Sequence, residues 1–322
     1  DEAVVLETPN DGAPALRALV LGGDGIGPEV VDVSIPLLVE SAKVANVALD
    51  IEQRTVGGAL YDQEGVFINE AVKELSRRAD FILFGAEGGP KWDSLPREGD
   101  QEDSSANFWL RRKLNLYTNY RPVKPFPALV ELSALKAQLS ADIDLVVVRE
   151  LCGGIYFGEP RGRDITPDGL RRGTDTQVYA EDEVRRVAHD AFALARARRG
   201  HLTSMDKSNV LESGVVWREV VTEVGAQHYP DITLQHLYAD NGFFQLGSRP
   251  SQFDVILCDN LIGDLRSDAA AVGVGSLGLL PSASLGPARG DGSRQILYES
   301  IHGSAPDIAG LGIANPIATL LC

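Results

Sequence analysis

The chain has 322 residues, 44% of them hydrophobic and 24% charged, and a net charge of −16 from 46 acidic and 30 basic side chains. That length exceeds one small hydrophobic core and predicts two lobes of an ordinary globular protein. The acidic balance repels phosphate backbones, which argues against nucleic acid as a partner, and it means that an anionic substrate must be met by a local cluster of arginines.

In chain order, residues 1–15 are acidic and lack the basic start and apolar run of a signal peptide. The expected location is the cytoplasm, or an organelle matrix if a targeting segment has been removed. A short buried strand is expected at 18–21 and a helix at 28–44, with Pro28 suited to its first turn. The turn before that helix, Gly23-Asp24-Gly25-Ile26-Gly27-Pro28, resembles a dinucleotide fingerprint, but the third glycine falls on Pro28, so the spacing fails. Further buried strands are expected at 81–84, 145–148 and 255–257, and an amphipathic helix at 181–199 with basic residues toward its end. Polar stretches at 91–105 and 158–176 read as surface loops. The nearest approach to a membrane span, 269–280, is too short and is broken by glycines, so no membrane partner is expected. Strands alternating with helices predict an α/β fold without internal repeats. Cys152, Cys258 and Cys322 are too few and too far apart for a disulfide framework or a zinc site. Cys152 and Cys258 adjoin strand-like runs and are expected as reduced core residues, which points to a reducing compartment.

The candidate chemistry is scattered. Asp264 and Asp268 stand four apart, on one face if the segment is helical, where two like charges are unfavourable unless a cation sits between them. The plainer alternative is a solvated helix face with Arg266 nearby. Arg111, Arg121 and Arg149 lie near strand ends, where α/β folds bind ligands, and guanidinium groups clamp carboxylates in bidentate fashion. Arg112 and Lys113 are expected to face solvent. Lys207, after a basic helix, and Tyr156, in a glycine-rich stretch, are ordinary residues by spacing alone; a lysine desolvated near cations can act as a base. His302 to Asp307 form a compact loop of small residues, and Asp307 could accept from a ribose diol.

Read together, these segments resemble the β-decarboxylating dehydrogenases, and within them the isopropylmalate branch. The match runs from Gly23 to Pro316 and is carried by Gly88-Gly-Pro-Lys-Trp-Asp93, by Arg149-Glu-Leu-Cys-Gly-Gly-Ile-Tyr-Phe-Gly-Glu-Pro160, by the stretch 275–284 and by Gly303-Ser-Ala-Pro-Asp-Ile-Ala-Gly310. The resemblance implies a two-domain α/β isopropylmalate-dehydrogenase-like fold with a shared mixed sheet, distinct from the Rossmann fold. It implies an NAD-binding domain from residues 1–116 with 275–322, and a second domain over 117–274 carrying the contacts of a homodimer whose clefts take residues from both subunits.

The same resemblance implies a reaction, the NAD- and divalent-metal-dependent oxidative decarboxylation of a 3-substituted malate of the 3-isopropylmalate type to a 2-oxo acid, as in leucine biosynthesis. Arg111, Arg121 and Arg149 would bind the malate carboxylates. Asp264 and Asp268 would hold Mg²⁺ or Mn²⁺ with Asp240 of the partner subunit. Lys207 of the partner subunit would assist removal of the hydroxyl proton, and Tyr156 would protonate carbon after CO₂ leaves. Glu299, His302, Gly303, Ser304, Ala305, Pro306, Asp307 and Asn315 would contact the cofactor, and Asp307 stands where NADP-dependent relatives carry lysine, so NAD is expected.

Several positions depart from the family pattern. The family continues for some tens of residues past the cofactor loop. Glu87 replaces a small apolar residue, Gly242-Phe243-Phe244 follow Asp240-Asn241 where Ala and Met are usual, and Arg266 takes an apolar position between the metal aspartates. The substitutions near the cleft suit a specialised paralogue; an inactive binding or regulatory relative is the alternative of another class, although the complete set of Arg, Asp, Lys and Tyr favours an enzyme. The residues before Arg111 leave the substrate's side group open. Asn107 stands where the isopropylmalate branch has leucine, and Ser105 with Asn107 resembles the isocitrate pattern, in which such groups hydrogen-bond the extra carboxylate. Phe108 and Trp109 could instead form a wide aromatic pocket. The alternative substrates are therefore isocitrate, homoisocitrate or a 3-benzylmalate-like acid.

Overall fold

A computed structural model describes residues 4–6, 15–93, 95 and 104–322. Most of the acidic start, and of the loop expected at 91–105, lies outside the described residues. The chain forms two compact units, Asp1–Tyr117 with Leu277–Cys322, and Thr118–Ser276. Among the described residues no helix is long and apolar enough to cross a membrane.

The first unit begins with β1 (Val4–Leu6), β2 (Leu16–Gly23), α1 (Gly27–Val44), β3 (Leu49–Arg54), α2 (Gly58–Glu64), α3 (Glu70–Arg78), β4 (Phe81–Ala86), α4 (Pro90–Asp93) and α5 (Ala106–Lys113). The second unit runs through β5 (Thr118–Val123), α6 (Ala137–Ser140), β6 (Leu145–Glu150), β7 (Gly162–Ile165), β8 (Arg171–Thr174), α7 (Glu181–Ala197), β9 (His201–Asp206), α8 (Glu212–His228), β10 (Thr233–Tyr238), α9 (Ala239–Ser248), β11 (Val255–Cys258) and α10 (Asn260–Val274). The chain then returns to the first unit with β12 (Pro281–Ala288), β13 (Arg294–Ser300) and α11 (Ile317–Leu321).

Each unit is built on a mixed sheet. In the first unit the strand order is β1-β3-β2-β4-β13-β12, parallel from β3 to β13 and antiparallel at both flanks. In the second it is β5-β6-β11-β9-β10, with only β5 antiparallel. Parallel strands are covered on both faces, which is why β2, β4, β6 and β11 read as continuous apolar runs. Helix α7 shows the complementary pattern. Val184, Val187, Ala188, Ala191, Phe192 and Ala195 are buried at helical spacing, and Glu183 accepts the Ala180 N–H at its start (2.9 Å).

The glycine turn after β2 serves backbone packing. Gly23 has φ +74°, and a Cβ there would lie 1.9 Å from the Ala86 carbonyl oxygen. Gly25 has φ +58° and lies against the Ser304 carbonyl, which accepts the Ile26 N–H at 2.8 Å. Both positions therefore need glycine for conformation and for space.

One expected loop is something else. Within 158–176 the chain forms the hairpin β7–β8, with Asp164 directly opposite Arg172. Thr166-Pro167-Asp168-Gly169 supplies the turn, with Gly169 at φ +82° and the Thr166 N–H donating to Leu170 O (2.8 Å). Its residues are exposed throughout, so no apolar alternation marks the strands. All three cysteines are free; Cys152 and Cys258 are buried, and burial pushes the Cys258 thiol up to about 12.

Candidate functional site

In the second unit, α10 gathers the acidic candidates. Asp259 and Asn260 open the helix ahead of an apolar run. Asp259 caps it by accepting the Ile262 N–H (2.7 Å) and also takes the Gln177 side-chain amide (3.1 Å). One turn on, Asp264 meets Arg149 from the end of β6. The guanidinium, 2% exposed, donates to Asp264 Oδ1 from Nη1 and to Asn260 Oδ1 from Nε and Nη2 (3.0 and 2.7 Å). The Tyr156 hydroxyl donates to Asp264 Oδ2 (2.8 Å). Arg121, on β5, is held by Asn119 (2.6 Å) and Ser267 and lies 3.4 Å from Asp264 and 4.0 Å from Asp268. Arg121, Arg149, Tyr156, Asp264 and Asp268 thus converge in one cluster.

Asp268 is the more exposed carboxylate, and partial burial together with the charge of Asp264 raises its pKa. Two carboxylates one turn apart on one helix face are the arrangement that a hard cation relieves. The donor set therefore fits a divalent metal, with oxygen ligands from Asp264 and Asp268. Among the described residues no group of three His, Cys, Asp or Glu side chains could close such a site within one chain. Asp240, in the first turn of α9, pairs with Lys207 instead (2.8 Å), and that hydrogen bond holds its carboxyl below the usual range.

Asp259 is half-buried at the start of α10. Burial pushes its carboxyl up to about 6 from an ordinary 3.8. A carboxyl raised in the folded state binds its proton more tightly there, so this contribution favours folding at low pH. It is lost as pH climbs from about 4 through about 6. Asp259→Asn keeps an oxygen to cap α10 and removes the charge. It should stabilise the protein by up to about 3 kcal/mol above pH 6 and by nothing at pH 4. Melting curves of variant and wild type that differ equally at both pH values would contradict this.

Arg266 is not on the solvated face considered above. It is fully buried, it donates to the Ala239 carbonyl, and its guanidinium lies 4.0 Å from the centre of the Phe243 ring. A Cβ on Gly242 would come within 2.9 Å of both terminal guanidinium nitrogens and 2.7 Å of Met205 Sδ. The departures at Gly242, Phe243 and Arg266 are therefore one packing unit: the glycine clears the space, the guanidinium fills it and the ring covers it. Gly242→Ala should cost about 1–3 kcal/mol by overpacking. In an Arg266→Met background that cost should shrink by at least about 0.5 kcal/mol in urea titrations. Strictly additive costs would refute the pairing.

In the first unit, α5 carries Asn107 and Arg111 on one side and buries Ala106, Trp109 and Leu110 on the other. Trp109 is 2% exposed, with Lys73 and Arg77 over its ring, so it belongs to the core and does not line an aromatic pocket. Arg112 is half-buried and only Lys113 is exposed. Ser105 caps the helix, accepting the Phe108 N–H (3.2 Å). Glu299, 4% exposed on β13, accepts from Arg111 and from Asn107 Nδ2 (2.7 Å). Glu87 binds the start of α5 through Ser105 Oγ (2.6 Å) and the N–H groups of Ala106 and Asn107 (2.7 and 3.0 Å).

The 302–307 loop of the same unit contains a left-handed residue. Ala305 has φ +38°, Ser304 is buried, Gly303, Pro306 and Asp307 are exposed, and Asn315 is exposed beyond it. His302 Nδ1 lies 2.9 Å from Gly303 O, while its Nε2 is buried with no hydrogen-bond partner among the described residues. An orphaned ring nitrogen beside small residues and an exposed carboxylate fits the adenosine end of a nucleotide. Sequence reasoning missed Asn260 and Ser267, which seat Arg149 and Arg121. Asn260 could have been found, since it stands four residues before Asp264 on the same helix face.

The chain matches the family model described as isocitrate/isopropylmalate dehydrogenase over residues 17–322. It is 50% identical to the 3-isopropylmalate dehydrogenase of Gluconobacter oxydans across 95% of this chain and 83% of that one. It is 47% identical to the enzyme of that name from Symbiobacterium thermophilum across 96% and 84%. Among solved structures it is similar to an isocitrate dehydrogenase from Methylococcus capsulatus, with TM-score 0.82, 31% identity and coverage of 95% and 83%. It is also similar to a β-decarboxylating dehydrogenase from Thermococcus kodakarensis, with TM-score 0.71, 33% identity and coverage of 95% and 81%.

Proposed function

The chain belongs to the isocitrate/isopropylmalate dehydrogenase family, and from that premise we propose that it oxidises and decarboxylates a 3-substituted malate of the 3-isopropylmalate type to a 2-oxo acid, with NAD as the hydride acceptor. It is a β-decarboxylating dehydrogenase by kinship. The observation that carries the reading in this chain is the cluster in which Arg149, Arg121 and Tyr156 converge on Asp264.

Arg121 and Arg149 are pre-oriented by Asn119, Ser267 and Asn260 and bind substrate carboxylates; Arg111 contributes a third guanidinium from α5. Asp264 and Asp268 would hold Mg²⁺ or Mn²⁺, with Asp240 of the partner subunit completing the oxygen set. When bound, the cation would supply Lewis-acid stabilisation of the substrate's oxygens and the nicotinamide would supply the hydride acceptor. Lys207 of the partner subunit accepts the hydroxyl proton at Nζ, and the Tyr156 hydroxyl delivers a proton to carbon once CO₂ has left. His302, Gly303, Ser304, Ala305, Pro306, Asp307 and Asn315 contact the adenosine side, and the carboxylate of Asp307 favours the ribose diol of NAD over a phosphate. Glu299 orients Arg111. Ser105 and Asn107 border the C3 substituent.

The protein works as a homodimer, and the exposed β7–β8 hairpin supports this, because an isolated two-stranded ribbon is at best marginally stable until something covers it. Three free cysteines, two of them buried, support the cytoplasm or an organelle matrix. The test is the appearance of NADH absorbance with 3-isopropylmalate, isocitrate, homoisocitrate and 3-benzylmalate in the presence of Mn²⁺. Reduction of NAD by 3-isopropylmalate, abolished by a chelator, is expected. No NADH with any of the four would overturn the proposal and leave a binding or regulatory relative.

A further inference from the structure

The start of α5 is occupied by a carboxylate that belongs to the chain. Glu87 Oε2 accepts the Ser105 hydroxyl and the Asn107 N–H, and Oε1 accepts the Ala106 N–H. These are the donors that an acidic group on a substrate would seek at a helix N-terminus. The Asn107 side chain is turned elsewhere, with Nδ2 on Glu299 and Oδ1 buried without a partner among the described residues. Burial and, to a lesser degree, the charge of Asp24 raise the Glu87 carboxyl, while the Ser105, Asn107 and Ala106 donors hold its charged form; Asp24 is itself a carboxylate that only accepts, from the N–H groups of Gly58, Ala59 and Gly88. Asn107 and Arg111 stand one helical turn apart and share Glu299. A substrate carboxylate held by Arg111 therefore has its C3 substituent within a turn of this filled donor set.

We infer that Glu87 determines specificity: it fills from within the chain the donors that would receive an anionic C3 substituent, and so confines the enzyme to 3-substituted malates with a neutral side group. The inference rests on the reaction proposed above. An anionic substituent meets repulsion from Glu87 and finds the N–H groups of Ala106 and Asn107 already taken, whereas an isopropyl group asks for no donor and stays clear of the charge. Discrimination arises from the element built against the wrong substrate.

The experiment is kcat/KM for isocitrate, 3-isopropylmalate and 3-benzylmalate in the wild type, Glu87→Gln and Glu87→Ala. In Glu87→Ala the isocitrate to 3-isopropylmalate ratio should rise by roughly 10- to 100-fold. In Glu87→Gln, which removes the charge and keeps an acceptor, the rise should be smaller. The 3-benzylmalate to 3-isopropylmalate ratio should stay put, because charge and not size is being read. Each ratio is taken on one preparation, so partial misfolding cancels. An isocitrate ratio unchanged in both variants, or a wild type that already prefers isocitrate, overturns the inference while leaving the reaction standing. A wild type that turns over none of the three acids, nor homoisocitrate, overturns the reaction itself.

Discussion

Asp264→Asn is expected to slow NADH formation by about two to three orders of magnitude and to lower the melting temperature even with no metal present. The carboxylate has two duties. In the proposed reaction it would serve with Asp268 as an oxygen ligand of the cation, and it neutralises Arg149, which is 2% exposed. Losing a ligand of a Lewis-acid cation forfeits several kcal/mol of transition-state stabilisation. Removing one partner of a buried ion pair costs about 3–5 kcal/mol, and the lower end applies here because the Asp264 side chain is 32% exposed. Asp268→Asn separates the two duties. Its contact with Arg121 is only 4.0 Å and its side chain is 58% exposed, so it should lose activity without losing stability. Calorimetry on chelator-treated protein reads the structural half, and turnover at saturating Mn²⁺ reads the other. Equal melting temperatures for wild type and Asp264→Asn would show that Arg149 does not depend on this carboxylate.

The parts of the molecule that sequence made legible share a physical cause. β2, β4, β6 and β11 are buried on both faces, so they appear as short apolar runs, and α7 is buried along one stripe, so it appears as a helical period. The hairpin β7–β8 follows neither pattern, because all its strand residues are exposed and its turn chemistry is its only mark. Side-chain direction was the second blind spot. Helical spacing puts Arg266 on the opposite side of α10 from the two aspartates, but it could not tell that this side is the interior. Nor could it tell that Ser105 and Asn107, polar groups before a substrate-type arginine, are already engaged by Glu87 and Glu299. Those two carboxylates come from β4's end and from β13, far from α5 in sequence, and only the folded unit brings them together.

Lys207→Met is expected to lower turnover by about 10²- to 10⁴-fold, and mixing it with an inactive Arg111→Lys variant should restore activity. Within one chain Lys207 is paired with Asp240, and both belong to the set that the homodimer reading assigns to the other subunit's reaction centre. In a mixed dimer one centre then combines an intact Arg111 from its own chain with an intact Lys207 donated by the other chain. The second centre lacks both. A two-fold interface makes each chain donor and host at once. Random mixing makes about half the dimers mixed, and one working centre in each mixed dimer gives about a quarter of wild-type activity. The variants must be unfolded together and refolded, or coexpressed with different tags, so that subunits exchange. Sedimentation before and after mixing shows that the particle remains a dimer. If Lys207 served its own chain, every centre in the mixture would carry one lesion or the other, and activity would stay at the level of the separate variants.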